Sequence, residues 1–215
     1  SPDWAIAFYE GAVKHIFLLE NEKNKKNIDQ LDWVFGEFQI QRKYLGCEYV
    51  VSKKVSDNVD EQILRNSLIE FLREQTNLHI VQELCTTKTN DEESVDIGVI
   101  DSDSRVAIIE VKFFVKKGLF ENPEKKAYSK KRFLDGYKQL NKYCVHLKED
   151  NYDLHSAFLY MFYAHTDSRE AIENSGKEYL KKYMALGEQN EHSEKFVNHY
   201  KETICDNMLN IKYID

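Results

Sequence analysis

A chain of 215 residues with 42% hydrophobic and 13% aromatic content has ample material for a buried core, and no apolar run approaches the roughly 20 residues needed to cross a bilayer. The net charge of −7 argues, taken alone, against a polyanion as partner. Four widely separated cysteines, Cys47, Cys85, Cys144 and Cys205, with no CxxC pair, argue against a zinc site, an iron–sulfur cluster or a disulfide framework and set the expectation of isolated buried thiols in a reducing compartment.

Residues 4–19 form an apolar, helix-like run, 21–27 are a polar Asn/Lys stretch that reads as a loop, and 31–55 mix aromatic and polar residues without a decisive period. Together they read as an N-terminal elaboration, 1–57. Residues 59–75 place Ile63, Leu64, Leu68, Ile69, Phe71 and Leu72 at helical spacing behind Asp57 or Asn58 as cap, which predicts an amphipathic helix. A strand is expected over 78–87. Val95, Ile97 and Val99 then alternate with Asp96, Gly98 and Ile100, residues 101–105 are turn formers, and 106–115 are β-branched and aromatic, so two antiparallel strands follow. Asn122-Pro123-Glu124 has the cap, the first-turn proline and the acid of a helix start, predicting a helix to about Lys148 with an interruption at Gly136. Residues 156–164 are apolar on both faces, as in a covered strand. From Asp167 the sequence is polar and helical, with Tyr179, Leu180, Tyr183 and Met184 on one stripe suited to core packing. The order is helix, three strands, helix, strand. It defines an α/β core over 58–166 with a helical extension over 167–215, all three parts being compatible with one domain.

Three charges interrupt the apolar hairpin: Asp96 on its first strand, Glu110 and Lys112 on its second. Side chains alternate along a strand, so Glu110 and Lys112 share a face. Placing a carboxylate and an ammonium together in so apolar a strand costs free energy unless something offsets the desolvation. A divalent metal held by Asp96 and Glu110 would do so.

Asp96, thirteen further residues, then Glu110-Val111-Lys112 resemble the D…(D/E)xK signature of the PD-(D/E)xK nuclease superfamily. Val95 stands where the superfamily's name has proline. The resemblance implies a restriction-endonuclease-like αβββαβ core, a mixed central sheet flanked by helices, with the Asp on its second strand and the ExK on its third. It also implies a metal-dependent phosphodiesterase acting on DNA more than RNA. Asp96 and Glu110 would bind Mg2+ or Mn2+ with the Val111 carbonyl as a further ligand, and Lys112, its pKa lowered beside the cation, would position or deprotonate the attacking water. Many members place a glutamate early in the helix before the first core strand. Glu61 matches that position, Glu70 being its rival and a first-turn acid its plain alternative. Gln139-Leu-Asn-Lys-Tyr143 matches the QxxxY motif of the RecB and lambda-exonuclease branch, and at i and i+4 the two share a helix face. That implies Gln139 at the active site and Tyr143 on a phosphate, with Tyr143 as a core aromatic left open.

Charge is unevenly distributed. Residues 111–142 hold ten basic side chains against three acidic ones, a local balance of +7 within an acidic chain. Beside the Asp/Glu/Lys triad, Lys116, Lys117, Lys125, Lys126, Lys130, Lys131, Arg132, Lys138 and Lys142 are candidate nucleic-acid contacts, although a solvated lysine-rich face is the bland reading of such a run. The seven histidines show no ligand spacing, and no phosphate-binding GxxxxGK[ST] loop occurs. The expectation is a cytoplasmic, metal-dependent nuclease with DNA and no membrane as partner, alone or with further subunits. Its alternative is a catalytically inactive protein of the same fold that binds or scaffolds nucleic acid.

Overall fold

A computed structural model describes residues 25–45, 47–86 and 94–185 together with a short strand, Cys205–Asn207. The expected helix over 4–19 lies outside these residues. Where no period was legible, the chain is helical. A single 3-10 turn, Ile28–Gln30, closed by reciprocal capping between Asn27 and Gln30, leads into α1, Leu31–Leu45. α1 buries Leu31, Val34, Phe35 and Phe38 at i, i+3, i+4 and i+7, while Trp33 and Ile40 face solvent and blur that stripe. A small hairpin, β1 (Val50–Val51) and β2 (Lys54–Val55), turns through Ser52 and Lys53. Both are left-handed, with φ of 50° and 62°, as a two-residue type I′ turn requires.

α2, Glu61–Gln75, buries Leu64, Leu68, Ile69, Phe71 and Leu72 as its spacing predicts. Its cap is Asp60, whose side chain accepts the Ile63 N–H at 2.8 Å, rather than Asp57 or Asn58. Asp57 instead accepts the Asn122 N–H at 3.0 Å. Four strands follow with two intervening helical elements: β3 (His79–Cys85), β4 (Ser94–Ile100), β5 (Arg105–Val115), α3 (Arg132–Glu149), β6 (Asp153–Ala164) and α4 (Arg169–Ala185). With β7, Cys205–Asn207, they make a five-stranded mixed sheet in the order β3-β4-β5-β6-β7. β3, β4 and β5 pair antiparallel, whereas β6 runs parallel to β5 and β7 parallel to β6. β7 corrects the expectation of a purely helical C-terminal extension.

Both faces of the sheet are covered. Ala107, Ile109, Val111, Phe113 and Val115 of β5 pack with α1 and α2 on one side. Ile108 and Phe114 pack with Phe133, Tyr137, Leu140 and Cys144 of α3 and Ile172, Leu180 and Tyr183 of α4 on the other. Tyr179 lies against this second layer as its stripe predicts, and the side chain of Met184 lies outside the described residues. Of the three cysteines whose side chains are described, Cys144 is buried, Cys47 is half-buried and Cys85, at the end of β3, is exposed, which corrects the expectation of uniformly buried thiols.

The helix expected from Asn122 begins ten residues later, at Arg132. The Asn122 side chain accepts the Glu124 N–H at 3.0 Å, so the residues that mimic a cap close a local Asx turn instead. Phe120 is buried and bridges Val55, and the Lys125 ammonium reaches the carbonyls of Asp57 and Val59, holding residues 121–131 against the chain that precedes α2.

Gly136 and Gly98 mark close approaches that bear on the sheet. A Cβ on Gly136 would lie 2.4 Å from Leu159 Cδ1 and 3.2 Å from Lys112 Cγ, so its absence seats α3 on β5 and β6 without interrupting the helix. A Cβ on Gly98 would lie 2.8 Å from Leu84 Cβ, an atom that no rotamer can move. Gly98→Ala therefore lowers stability by about 1–3 kcal/mol, reversing the small gain alanine usually brings in a strand. A lower urea midpoint at an unchanged slope is the expected reading.

Candidate active site

The β4–β5 ladder ends at Ile97↔Ile109, although β5 runs on to Val115. Beyond that point the strands part, and on its β4 side β5 presents backbone groups with no strand beside them. Side chains take over. The Val111 N–H donates to Asp96 Oδ2 at 2.8 Å, the Phe113 N–H to Glu61 Oε2 at 3.0 Å, and the Val111 carbonyl accepts from Lys112 Nζ at 3.1 Å. A buried orphan donor costs about 1–3 kcal/mol, so the two carboxylates complete the fold at the opening as well as lining it.

Asp96 is turned toward β5 because β4 is irregular there. Ile97 and Val99 pack under α1 and α2, yet Val95, which strict alternation would place with them, packs on the α3 side. Opposite, Glu83 is left-handed at φ 54°, and the Glu83–Asp96 rung is missing from the β3–β4 ladder while the register on either side of it is unchanged, so both strands are distorted at that one rung. Asp96 Oδ1 accepts from Arg65 Nη1 at 3.0 Å, and Arg65 Nη2 donates to Glu83 Oε1 at 3.0 Å. Arg65 was missed by the reading of the sequence. Its signal was there: with Glu61, Leu68 and Leu72 at i, i+4, i+7 and i+11 it sits on the buried stripe of α2, where a charge needs a partner.

Glu110 and Lys112 share the α3 face of β5 as alternation requires, and only 2% and 4% of their surfaces are exposed. Lys112 Nζ donates to Glu110 Oε1 at 2.5 Å and lies 3.5 Å from Glu61 Oε1. Neighbouring apolar side chains, each contributing roughly 1.5–3 kcal/mol on burial, outweigh the several kcal/mol that desolvating such a pair costs. Burial pushes the Glu110 carboxyl up to about 7; Lys112 opposes the rise, and Asp96 and Glu61 add to it. Burial works against the Lys112 charge as well, but Glu110, Glu61 and Asp96 together hold its ammonium above the usual lysine range. Three carboxylates thus face one ammonium, whereas the expected lowering of the lysine pKa belongs to a lysine beside a bound cation.

Glu61, at the first turn of α2, is the glutamate that enters this cluster, and Arg132 at the start of α3 donates to its Oε2. Arg132 is therefore a member of the site, although the sequence marked it only as one charge in a basic run. Gln139 lies exposed on α3; the partners of Asp96, Glu110 and Lys112 are one another, Arg65, Glu61 and backbone groups, and do not include Gln139. Tyr143 is half-buried against the α3–α4 core.

The basic run is not one helical face. Lys116 donates to Thr166, Lys125 to backbone carbonyls, and Lys130 to Asp167 at 2.8 Å and Ser175 at 3.3 Å. Lys117, Lys126 and Lys131 lie exposed in loops, and Lys138 and Lys142 project from α3.

The donor set suits a hard cation. Glu110 Oε2 is buried with no hydrogen-bond partner, and Asp96 and the Val111 carbonyl are oxygen donors joined to the same stretch of β5. No group of three His, Cys, Asp or Glu side chains forms a ready cage among the described residues, and arginines bond Asp96 and Glu61. Comparison with protein-family models, with curated proteins and with solved structures finds no match for the chain.

Proposed function

We propose that the protein is a divalent-metal-dependent nuclease with a restriction-endonuclease-like core. The observation that carries this reading is the meeting of Asp96, Glu110 and Lys112 where β4 and β5 part, with one buried carboxylate oxygen of Glu110 unpartnered. The order α2, three antiparallel strands, α3 and a parallel β6 supports the fold half of the proposal. Asp96, Glu110 and the Val111 carbonyl would hold Mg2+ or Mn2+, which supplies a Lewis acid and a more acidic water. Lys112, kept charged by its three carboxylate neighbours, neutralises charge building on the phosphoryl oxygens. Glu61 steers the Lys112 ammonium while fixing the backbone that carries it.

The arginine partners of Asp96 and Glu61 favour a second reading, in which the cluster is a structural ion network in an inactive nucleic-acid-binding protein. Incubation with linear DNA, circular DNA and RNA under Mg2+ or Mn2+ separates the two. Cleavage by the wild type and none by Asp96→Ala is the expected result. A second readout needs no substrate: Mn2+ at about 100 times its dissociation constant stabilises the fold by about 2.7 kcal/mol. The melting temperature should rise with Mn2+ in the wild type and stay flat in Glu110→Gln; a wild-type melt indifferent to both ions removes the metal site.

A further inference from the structure

The loop of residues 121–131 carries one aromatic ring at the surface. Tyr128 is 40% exposed, and its ring centroid is 6.2 Å from that of Phe113, the residue after Lys112. Arg132 Cζ lies 5.9 Å from the same centroid. One nitrogen of that guanidinium donates to Glu61, which in turn accepts from Lys112, while its Nε is buried without a hydrogen-bond partner. Lys126 and Lys131, on either side of Tyr128 in sequence, are exposed. Together they place a solvent-facing ring beside a partly exposed guanidinium that is joined through Glu61 to the candidate catalytic lysine.

That combination has a specific ligand chemistry. A planar guanidinium recognises a phosphate through paired donors, and a tyrosine face stacks a nucleobase whatever its sequence. Bases within a duplex are stacked on each other and offer no free face; an unpaired nucleotide does. We propose that Tyr128 and Arg132 clamp an unpaired nucleotide, the ring stacking on its base and the guanidinium taking its phosphate, so that the strand led to Lys112 is single-stranded. The proposal rests on the nuclease reading for what happens to that strand, but the clamp itself is a binding site.

Fluorescence anisotropy without metal tests it, using a labelled DNA single strand of about 12 nucleotides and the blunt duplex of the same sequence. Tyr128→Leu keeps apolar cover over Phe113 but has no π face; Tyr128→Trp restores the face. The wild type should prefer the single strand, with the ratio of single-strand to duplex affinity falling about tenfold in Tyr128→Leu and recovering in Tyr128→Trp. Arg132→Gln should weaken single-strand binding and flatten its salt dependence. A folded Tyr128→Leu with an unchanged ratio overturns the clamp and leaves the ring as a cover for Phe113, as does a wild type that prefers the duplex or binds neither. Cleavage of the same DNAs under Mg2+ is scored separately. Tyr128-dependent binding without cleavage supports the clamp and sinks the nuclease, whereas cleavage with an indifferent Tyr128 does the reverse.

Discussion

If the protein is the proposed nuclease, Glu110→Gln is expected to reduce Mg2+-dependent cleavage of linear DNA by on the order of 10³-fold, about 4 kcal/mol of transition-state stabilisation. The amide keeps the shape of the side chain and removes the anionic oxygen that has no protein partner. The proposed metal ligand and the charge balance of Lys112 would be lost together, at a position too buried for water to stand in for either. Asp96→Asn is expected to lose a similar amount, but its defect has two sources, because Asp96 also holds the Val111 N–H and Arg65. Initial rates beside far-ultraviolet circular dichroism distinguish loss of chemistry from loss of fold. A folded Glu110→Gln that cleaves at the wild-type rate under Mg2+ would refute the active-site assignment.

The parts of this site that were legible in the sequence are those set by short-range rules. Period-two alternation places Glu110 and Lys112 on one face of β5, and 3.6-residue spacing delivers α2 with Glu61 at its first turn. What stayed hidden depends on partners distant in the chain. Asn122-Pro123-Glu124 carries every local sign of a helix start, yet Asp57 takes the Asn122 N–H and the side chain closes an Asx turn, so the helix waits until Arg132. The left-handed backbone at Glu83 left no mark in a sequence without glycine at that point, and it is this distortion, with Arg65 bridging Glu83 and Asp96, that accompanies the turning of Asp96 toward β5. The basic run was read as a set of candidate nucleic-acid contacts. Part of its charge is instead spent inside the molecule, on Glu61, Asp167 and the carbonyls before α2.

The buried Glu110–Lys112 pair is expected to behave as one unit in a double-mutant cycle on the metal-free protein at neutral pH. Lys112→Met removes the ammonium bonded to Glu110 Oε1 and strands a carboxyl that burial already pushes up to about 7. Breaking a buried pair in this way costs about 3–5 kcal/mol. Glu110→Gln costs less, because Lys112 retains the Val111 carbonyl at 3.1 Å and Glu61 at 3.5 Å. Combining the two leaves a neutral amide beside a thioether among apolar neighbours. Replacing a buried ion pair wholly by well-packed apolar side chains is neutral or stabilising by about 1–4 kcal/mol; the buried amide offsets part of that gain, so the double variant should be more stable than Lys112→Met alone, with a coupling of several kcal/mol in urea denaturation. Additive losses would mean that Glu110 and Lys112 answer to separate partners and that the short contact between them carries little energy. A double variant as stable as the wild type, unable to cleave and no longer stabilised by Mn2+, would mean that the fold can do without these charges. Their place in an apolar strand would then be explained by the chemistry they perform, at a cost in stability that functional sites commonly bear.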